Sequence, residues 1–524
     1  MLRKNEQFWG YILRHRLLIY SFFVSLVILS ICTKSSFLYP FNDWVDANCY
    51  FTVGKGMMQG KVVYRDLFEQ KGVLLYFLHG LAYLVSHTTF IGVFFIELIA
   101  GTAYLYYAGR TAALFAGGKW PYVIIPVLAA LVYSSLYFAH GDSAEELCLP
   151  MLMYGFYRLM RFFKEPGSLT PRVIVVCGIL AACVLWIKYT MLGWWLAFMI
   201  AVIVERLLKK QVNKALMFCV WFAAGALVAT LPWLIYFAVN KAIHDWVYTY
   251  FILNITAYAN SASISDIFHY VWNNFYTNMS TDIMLLISIL LGLLGFVGTR
   301  KLISGIWAKI SIVFLPMLLV LGIYGGGRNY PYYFLIVSGM LLLPGMITLV
   351  RLLSGIGGVI KSSKIRAKLA LASRWLFALG CVVVVAASAL YTLNAYQYRG
   401  FMSADRSGLA QVQFAEIMNE TETPTLLNYG FLDGGFYTAA NILPTEKYFC
   451  KLNVPLNKMI KAQDAAVRNK LVQYVVTRID SNNKSISKNR LDVLEKNYQL
   501  KAQVQQMFEH RKFTYRLYKL REGV

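Results

Sequence analysis

The stretch Asn42-Asp43-Trp44-Val45-Asp46-Ala47-Asn48-Cys49-Tyr50, with its continuation Gly60-Lys61-Val62-Val63-Tyr64-Arg65-Asp66-Leu67-Phe68-Glu69-Gln70-Lys71-Gly72, decides how this chain is read. It is a polar, acid-bearing segment set between two strongly apolar ones, and four of the 14 acids that precede residue 394 fall inside it. Carboxylates are costly to hold beside a bilayer, and those that persist there mark function. This first loop is therefore the expected active site.

The apolar surroundings are general. The 524 residues are 58% hydrophobic, 16% aromatic and 15% charged, a composition of multi-span membrane proteins rather than of soluble globular ones. Apolar runs of about 17–25 residues mark spans, and eleven are expected, near 17–39, 89–109, 121–139, 146–163, 173–187, 190–205, 215–238, 282–299, 310–325, 332–350 and 375–393. The net charge of +24 does not point to nucleic acid, because the basic residues cluster at the ends of these runs, as topology determinants do. With the N-terminus in the cytoplasm, 23 basic residues before position 394 fall on the cytoplasmic side and eight on the other. The first loop then faces away from the cytoplasm.

Val73 to Val85 is apolar but too short to span, and it is interrupted by His79-Gly80. It is expected to lie on the outer leaflet as an interfacial helix, with Leu74, Leu78 and Leu81 toward the lipid. Residues 40–88 thus read as part polar hairpin and part membrane-lying helix.

Further outer segments carry chemistry. His140-Gly141-Asp142-Ser143-Ala144-Glu145-Glu146 is crowded with acids where a span begins, and helix capping accounts for part of this. Lys188 divides two apolar runs, where it reads as a phosphate ligand or as a snorkelling lysine. A long loop over 239–280 holds His244, Asp245 and His269, and Gly325-Gly326-Gly327-Arg328 is a tight turn that presents one arginine. The eight cysteines include no CxxC pair, so neither a zinc knuckle nor a disulfide framework is indicated.

After residue 393 the composition turns soluble. Leu409 to Met418 and Leu456 to Asn469 read as helices, and Thr425 to Leu427, Leu471 to Val476 and Thr514 to Lys519 as strands. The expected organisation is a transmembrane catalytic domain over 1–393 and a small extracytoplasmic α/β domain over 394–524.

Acidic outer loops beside a membrane-lying helix suit a reaction on a lipid-borne substrate. Sugar transfer from a polyprenyl phosphate needs a base for the acceptor hydroxyl, and it needs positive charge or a divalent ion on the departing phosphate. The run from Asp46-Ala47-Asn48-Cys49-Tyr50 through Tyr64-Arg65-Asp66 and Phe68-Glu69-Gln70-Lys71-Gly72 resembles the first-loop pattern of the GT-C superfamily of polyprenyl-phosphate-sugar glycosyltransferases. Within it the group of protein mannosyltransferases and aminoarabinose transferases is the nearest in pattern. The resemblance implies an α-helical polytopic fold of about eleven spans, with Asp46 as catalytic base and Asp43 as its alternative. It also implies Tyr64, Asp66, Lys71, Glu145 and Lys188 around the substrate, and Glu69 near a carboxylate that binds metal; read from the outer turn and the long loop themselves, Arg328 is a further candidate for the substrate phosphate and His269 a second ligand if a divalent metal ion is used. Two departures stand out: the family's Asp-Glu pair is Asp46-Ala47 here, and the prolines after its lysine are replaced by Gly72-Val73.

The reaction so implied is inverting transfer of a sugar from a polyprenyl-phosphate donor to an extracytoplasmic glycan or lipid acceptor. Membrane lipids are the further partners. The rival is a transporter or flippase of the same lipid-linked sugars. A transporter places acids at mid-span, and here Glu97 is the main acid so placed.

Overall fold

The computed structural model describes residues 2–259, 263–300, 302–357, 369–480, 483–484, 487–509 and 511–523. Lys301 and the basic positions Lys361, Lys364, Arg366 and Lys368, which enter the orientation argument, lie outside the described residues.

The chain folds as two compact units, one made of residues 1–33, 97–231 and 261–399, the other of 34–96, 232–260 and 400–524. The second unit thus gathers the first loop, a middle segment and the carboxy-terminal region.

The first unit is helical. Its helices are α1 (Leu2–Cys32), α4 (Ile91–Ala116), α5 (Pro121–Tyr133), α6 (Ala144–Lys164), α7 (Pro171–Lys188), α8 (Leu192–Leu208), α9 (Val212–Val239), α11 (Ile264–Ser280), α12 (Ile283–Gly298), α13 (Ile306–Tyr324), α14 (Leu335–Gly357) and α15 (Leu369–Ala395), of which α4 and α9 run on into the second unit. Each of the eleven expected runs holds one of these helices. Small residues let them pack closely: a Cβ on Gly178 of α7 would stand 2.0 Å from the Phe222 carbonyl oxygen of α9, and one on Gly225 of α9 would stand 2.1 Å from that of Val175.

By length and composition, seven helical stretches among the described residues are able to cross a membrane, or up to eight if the bent pair α11–α12 is one span. The eleven expected runs include some that do not count singly by length and composition. Three features account for the difference. Helix α5 has only 13 residues, and α6 carries Glu145, Glu146, Arg158, Arg161 and Lys164. Residues 171–208 also form one 38-residue apolar stretch. A straight helix of that length would run about 57 Å against about 30 Å of hydrocarbon. It does not run straight, because Lys188 takes an extended conformation, φ −158° and ψ 99°, and separates α7 from α8.

The expected loop over 239–280 is largely helical. Helix α10 (Ile243–Val247) leads into two π-helical turns, and α11 follows, opened by a capping box between Ser263 and Asp266. Ile264, Phe268, Trp272 and Tyr276 of α11 recur every four residues and are all exposed, the pattern of a helix lying at a membrane interface. A 110° bend then joins it to the apolar α12.

In the second unit, α2 (Val45–Met58) occupies the place of the expected polar hairpin. Asp46 in its first turn favours the helix dipole, and Gly60 at φ 85° ends it in the left-handed conformation that suits glycine. Helix α3 (Val73–Val85) has the bounds expected of the interfacial helix. The two cross at glycine: a Cβ on Gly54 would meet the Gly80 nitrogen and the Tyr76 carbonyl oxygen at 2.5 Å. Val73, Tyr76, His79, Gly80 and Tyr83 of α3 are buried, and Leu81, Leu84 and Val85 are exposed.

The carboxy-terminal part adds α16 (Ala410–Asn419), α17 (Phe436–Ala439), α18 (Asn457–Arg468) and α19 (Lys488–Asn497) to a sheet of β1 (Leu426–Asn428), β2 (Tyr474–Asp480), β3 (Asn483–Lys484), β4 (Tyr498–Phe508) and β5 (Arg511–Leu520). The strand order is β1-β2-β5-β4, with β3 on β2. Strand β1 runs parallel to β2, with Leu427 opposite Val475, while β5 is antiparallel to both β2 and β4. Leu427, Val467, Val472, Val475, Leu494 and Tyr518 form its core. Helix α19 and strand β4 have no counterpart in the sequence reading, because Lys488 to Gln506 alternates too weakly to show a period.

Candidate active site

Asp43 and Asp46 lie three residues apart but in different settings. Asp43 precedes α2 and is buried; Lys34 Nζ donates to its Oδ1 at 2.6 Å, and the same ammonium lies 4.8 Å from the Phe401 ring centroid. Asp46 is half-buried in the first turn of α2, with the Tyr50 hydroxyl 3.4 Å from its Oδ2. The chain around them is tightly tied. Trp44 N donates to Asn42 Oδ1, and buried Asn48 donates to the carbonyls of Asn42 and Trp44 at 2.8 and 2.9 Å. Asp43 is therefore occupied by an ion pair, while Asp46 is the carboxylate on a fixed helix end with partial access to solvent.

The segment after α2 is held by its own side chains. Tyr64 is fully buried at φ 68°, an uncommon conformation for a large side chain, and its hydroxyl donates to the Lys71 carbonyl at 2.6 Å. Asp66 closes the turn by accepting from Val62 N at 2.8 Å and by pairing with Arg65, whose hydrogen bonds hold its carboxyl below the usual carboxylate range. Buried Glu69 accepts from the Tyr76 hydroxyl and, at 2.8 Å, from Lys71 N. Burial first, and then Glu69, pushes the Tyr76 hydroxyl up, so it stays protonated and donates. Of the residues expected around the substrate, Tyr64 and Asp66 are thus engaged in shaping the loop. Lys71 stays half-exposed at its end.

Beneath α2 lies a polar group that the sequence did not single out. Asp433 is fully buried; its Oδ2 accepts from Thr52 at 2.7 Å and its Oδ1 from Asn428 and Gly435 N. Lys55 Nζ donates to the Tyr437 carbonyl at 2.9 Å, and burial, partly offset by Asp433, brings the Lys55 ammonium down to about 7. Asp433 itself is raised by burial, with Thr52 the main group opposing the shift. The acid set among glycines in Gly430-Phe431-Leu432-Asp433-Gly434-Gly435 was the available signal. The same unit has a cleft of about 220 Å³ whose lining includes Lys34, Ser35, Asn42, Thr89 and Arg406.

In the first unit, Glu145 and Lys188 are partners. Both are buried, Lys188 Nζ donates to Glu145 Oε1, and the ammonium sits 3.6 Å from the Tyr333 ring centroid. A snorkelling lysine is ruled out by that burial. The helix cap of α6 is Ser143, which accepts from Glu146 N at 3.1 Å. Glu97 accepts from Thr33 Oγ1 at 2.8 Å and from Asp142 N at 2.8 Å, and Asp142 N also donates to Glu146. A Cβ on Gly141, at φ 82°, would stand 2.4 Å from Thr33 Oγ1, so only glycine fits that turn. Glu97 is thus engaged by the Thr33 hydroxyl and loop backbone. Arg328 is half-buried in its glycine turn, and His269 is exposed on α11.

Among the described residues, no three His, Cys, Asp or Glu side chains are arranged to hold a metal ion. Glu69 Oε2 is engaged by the Tyr76 hydroxyl and Lys71 N.

A family model described as "Putative competence-induced protein Ccs4 N-terminal domain" matches residues 5–378. No curated protein matches the sequence. Among solved structures, ArnT from Cupriavidus metallidurans bound to undecaprenyl phosphate is similar with TM-score 0.58 and 12% identity, covering 94% of this chain and 97% of that one. ArnT from the same organism in the apo state gives TM-score 0.58 and 12% identity over 97% and 98% of the two chains. The fold is GT-C-like over nearly the whole length, as the first-loop pattern implied.

Proposed function

Because this chain belongs to the competence-induced Ccs4 N-terminal-domain family and is a multi-pass membrane protein of GT-C-like fold, we propose that it is a membrane glycosyltransferase using a polyprenyl-phosphate-linked sugar. The observation that carries the reading is the near full-length likeness to ArnT, which has been solved with undecaprenyl phosphate bound.

In this reading Asp46 takes the proton from the acceptor hydroxyl as that oxygen bonds to the anomeric carbon and the sugar–phosphate bond breaks. Fixing of the α2 entrance by Asn42 and Asn48 holds the carboxylate in place, which contributes to rate through orientation. Lys71 supplies positive charge for the departing polyprenyl phosphate. With Asp43 held by Lys34, the proposed course is a single displacement with inversion in which Asp46 is the base. The Lys34–Arg406 cleft, where Ser35, Asn42 and Thr89 stand beside Phe37, Phe41 and Phe90, suits an acceptor that offers both hydroxyls and an apolar ring face. Arg328 and the Glu145–Lys188 pair are separate expectations for substrate binding. The first loop and the carboxy-terminal region lie on the extracytoplasmic side.

A transporter without transferase chemistry is disfavoured by Glu97, since Thr33 and Asp142 N already bind its carboxylate. The deciding experiment incubates purified protein with a panel of undecaprenyl-phosphate sugars and follows release of undecaprenyl phosphate by mass spectrometry. Turnover of one sugar supports the reading. No turnover of any, with sugar-lipid movement across proteoliposomes instead, would replace it with the transporter.

A further inference from the structure

Six of the eight cysteines, Cys32, Cys148, Cys177, Cys183, Cys219 and Cys381, lie in α1, α6, α7, α9 and α15. The two outside those helices are 401 residues apart in sequence, and they meet. Cys49 Sγ of α2 lies 3.7 Å from Cys450 Sγ, with both residues 2% exposed. Cys450 sits in a segment tied on each side to the sheet domain, by Asn428 N to the Phe449 carbonyl at 3.2 Å and by Lys451 N to the Phe431 carbonyl at 2.8 Å. Cys49 lies one turn after Asp46 on the same helix.

We propose that Cys49 and Cys450 form a disulfide in the mature protein, joining the helix that carries Asp46 to the carboxy-terminal domain. The inference rests on the proposed extracytoplasmic placement of both segments, where disulfides persist. A bond needs the sulfurs to close from 3.7 Å to about 2.0 Å, a move of the size that side-chain rotation supplies.

The chemistry is thiol–disulfide exchange with a disulfide-bearing oxidant of the extracytoplasmic space. One cysteine thiolate attacks a sulfur of the oxidant and forms a mixed disulfide. The other thiolate then attacks the cysteine sulfur of that mixed disulfide, and the oxidant leaves as a dithiol. Two protons leave the cysteines, and two electrons pass to the oxidant. Burial pushes both thiols up, so each is a poor nucleophile once the site has closed. Oxidation therefore belongs to folding, before α2 packs against the Cys450 segment.

The function of such a bond is positional. It fixes the turn of α2 next to Asp46 against a segment 401 residues further along the chain, a join that otherwise rests on packing and on the Thr52–Asp433 and Lys55–Tyr437 carbonyl hydrogen bonds.

The test takes the full-length wild-type chain, purified from membranes in the presence of N-ethylmaleimide, and digests it without reductant. The expected result is a linked peptide pair containing Cys49 and Cys450, lost after dithiothreitol. A single proteolytic cut between the two cysteines should also leave both fragments in one band on a non-reducing gel and in two on a reducing one. Recovery of Cys49 and Cys450 both alkylated overturns the disulfide. Impermeant labelling of the carboxy-terminal domain in the same cells separates the two readings: alkylated cysteines with an externally labelled domain reject the bond alone, and alkylated cysteines with a protected domain reject the placement as well. In the variant Cys450→Ser the linked band should vanish while the chain remains in the membrane fraction. Persistence of the band in that variant would assign Cys49 to another partner and overturn the pairing.

Discussion

Lys34 Nζ lies 2.6 Å from Asp43 Oδ1, and both side chains are 3% exposed. This relationship assigns different duties to the two aspartates of the first loop. Removing one partner of a buried pair leaves the other charge uncompensated, at about 3–5 kcal/mol. Asp43→Asn is accordingly expected to lower the thermal midpoint in detergent sharply, well beyond the ~1 kcal/mol of a lost loop cap. Combining it with Lys34→Met should recover most of the loss. An unchanged midpoint for Asp43→Asn would show that the pair contributes nothing.

Glu145 and Lys188 make the corresponding pair in the first unit. Glu145→Gln alone should destabilise by about 3–5 kcal/mol, and Glu145→Gln with Lys188→Met should restore stability. If Lys188 also binds the donor phosphate, the double variant will keep a weakened donor affinity at a recovered thermal midpoint. Full affinity in that variant would make the pair purely structural.

Gly54 crosses Gly80 with no room for a methyl group. Gly54→Ala has to separate α2 from α3, and an overpacked contact of this kind costs about 1–3 kcal/mol. A fall in both thermal midpoint and turnover is expected, read by scanning fluorimetry and the transfer assay. Wild-type behaviour would mean that the helices cross more loosely.

Lys55 gives a pH signature. Its ammonium titrates near 7 in the folded protein against about 10.4 when unfolded, so between those values the unfolded chain binds more protons and stability rises with pH. The penalty of burying the charged form is complete below 7 and gone above the unfolded value. From pH 7 to 9 the gain approaches about 2 kcal/mol. Lys55→Met, which carries no charge to bury, should flatten the thermal midpoint over that range. A wild-type midpoint falling from pH 7 to 9 would contradict the assignment.

Much of the fold was legible because membrane spans announce themselves by composition: every expected run holds a helix, and the bounds of α3 follow from its apolar length. Helix α2 was not legible. Its run Val45 to Met58 is polar at its start and glycine-broken near its end, and its helical state depends on burial against residues far away, such as Asp433. The pairing of Lys188 with Glu145 was invisible for a similar reason, since 43 residues separate two charges that were each read singly, the one as a phosphate ligand or snorkelling lysine and the other in a capping segment. The Asp43–Lys34 pair lay only nine residues apart. There the lysine was read as one basic residue among several in the outer loops, because nothing in a local pattern says that an ammonium is buried.

The placement of the carboxy-terminal domain is tested by a reporter fused after Val524, which should be active only outside the cytoplasm. A cysteine at position 305 should resist impermeant thiol reagents added from outside. A cytoplasmic reporter would overturn the orientation and, with it, the oxidising environment proposed for Cys49 and Cys450.

The central claim is that Asp46 is the base, and the turnover of Asp46→Asn tests it most directly. The substitution keeps the side-chain shape and its place at the start of α2 but removes its capacity to take a proton. Measured on protein normalised for folded content, transfer from the polyprenyl-phosphate donor should fall by about 10²–10⁴, or about 3–5 kcal/mol of barrier, with donor binding little changed. Near-normal turnover by Asp46→Asn would contradict the account.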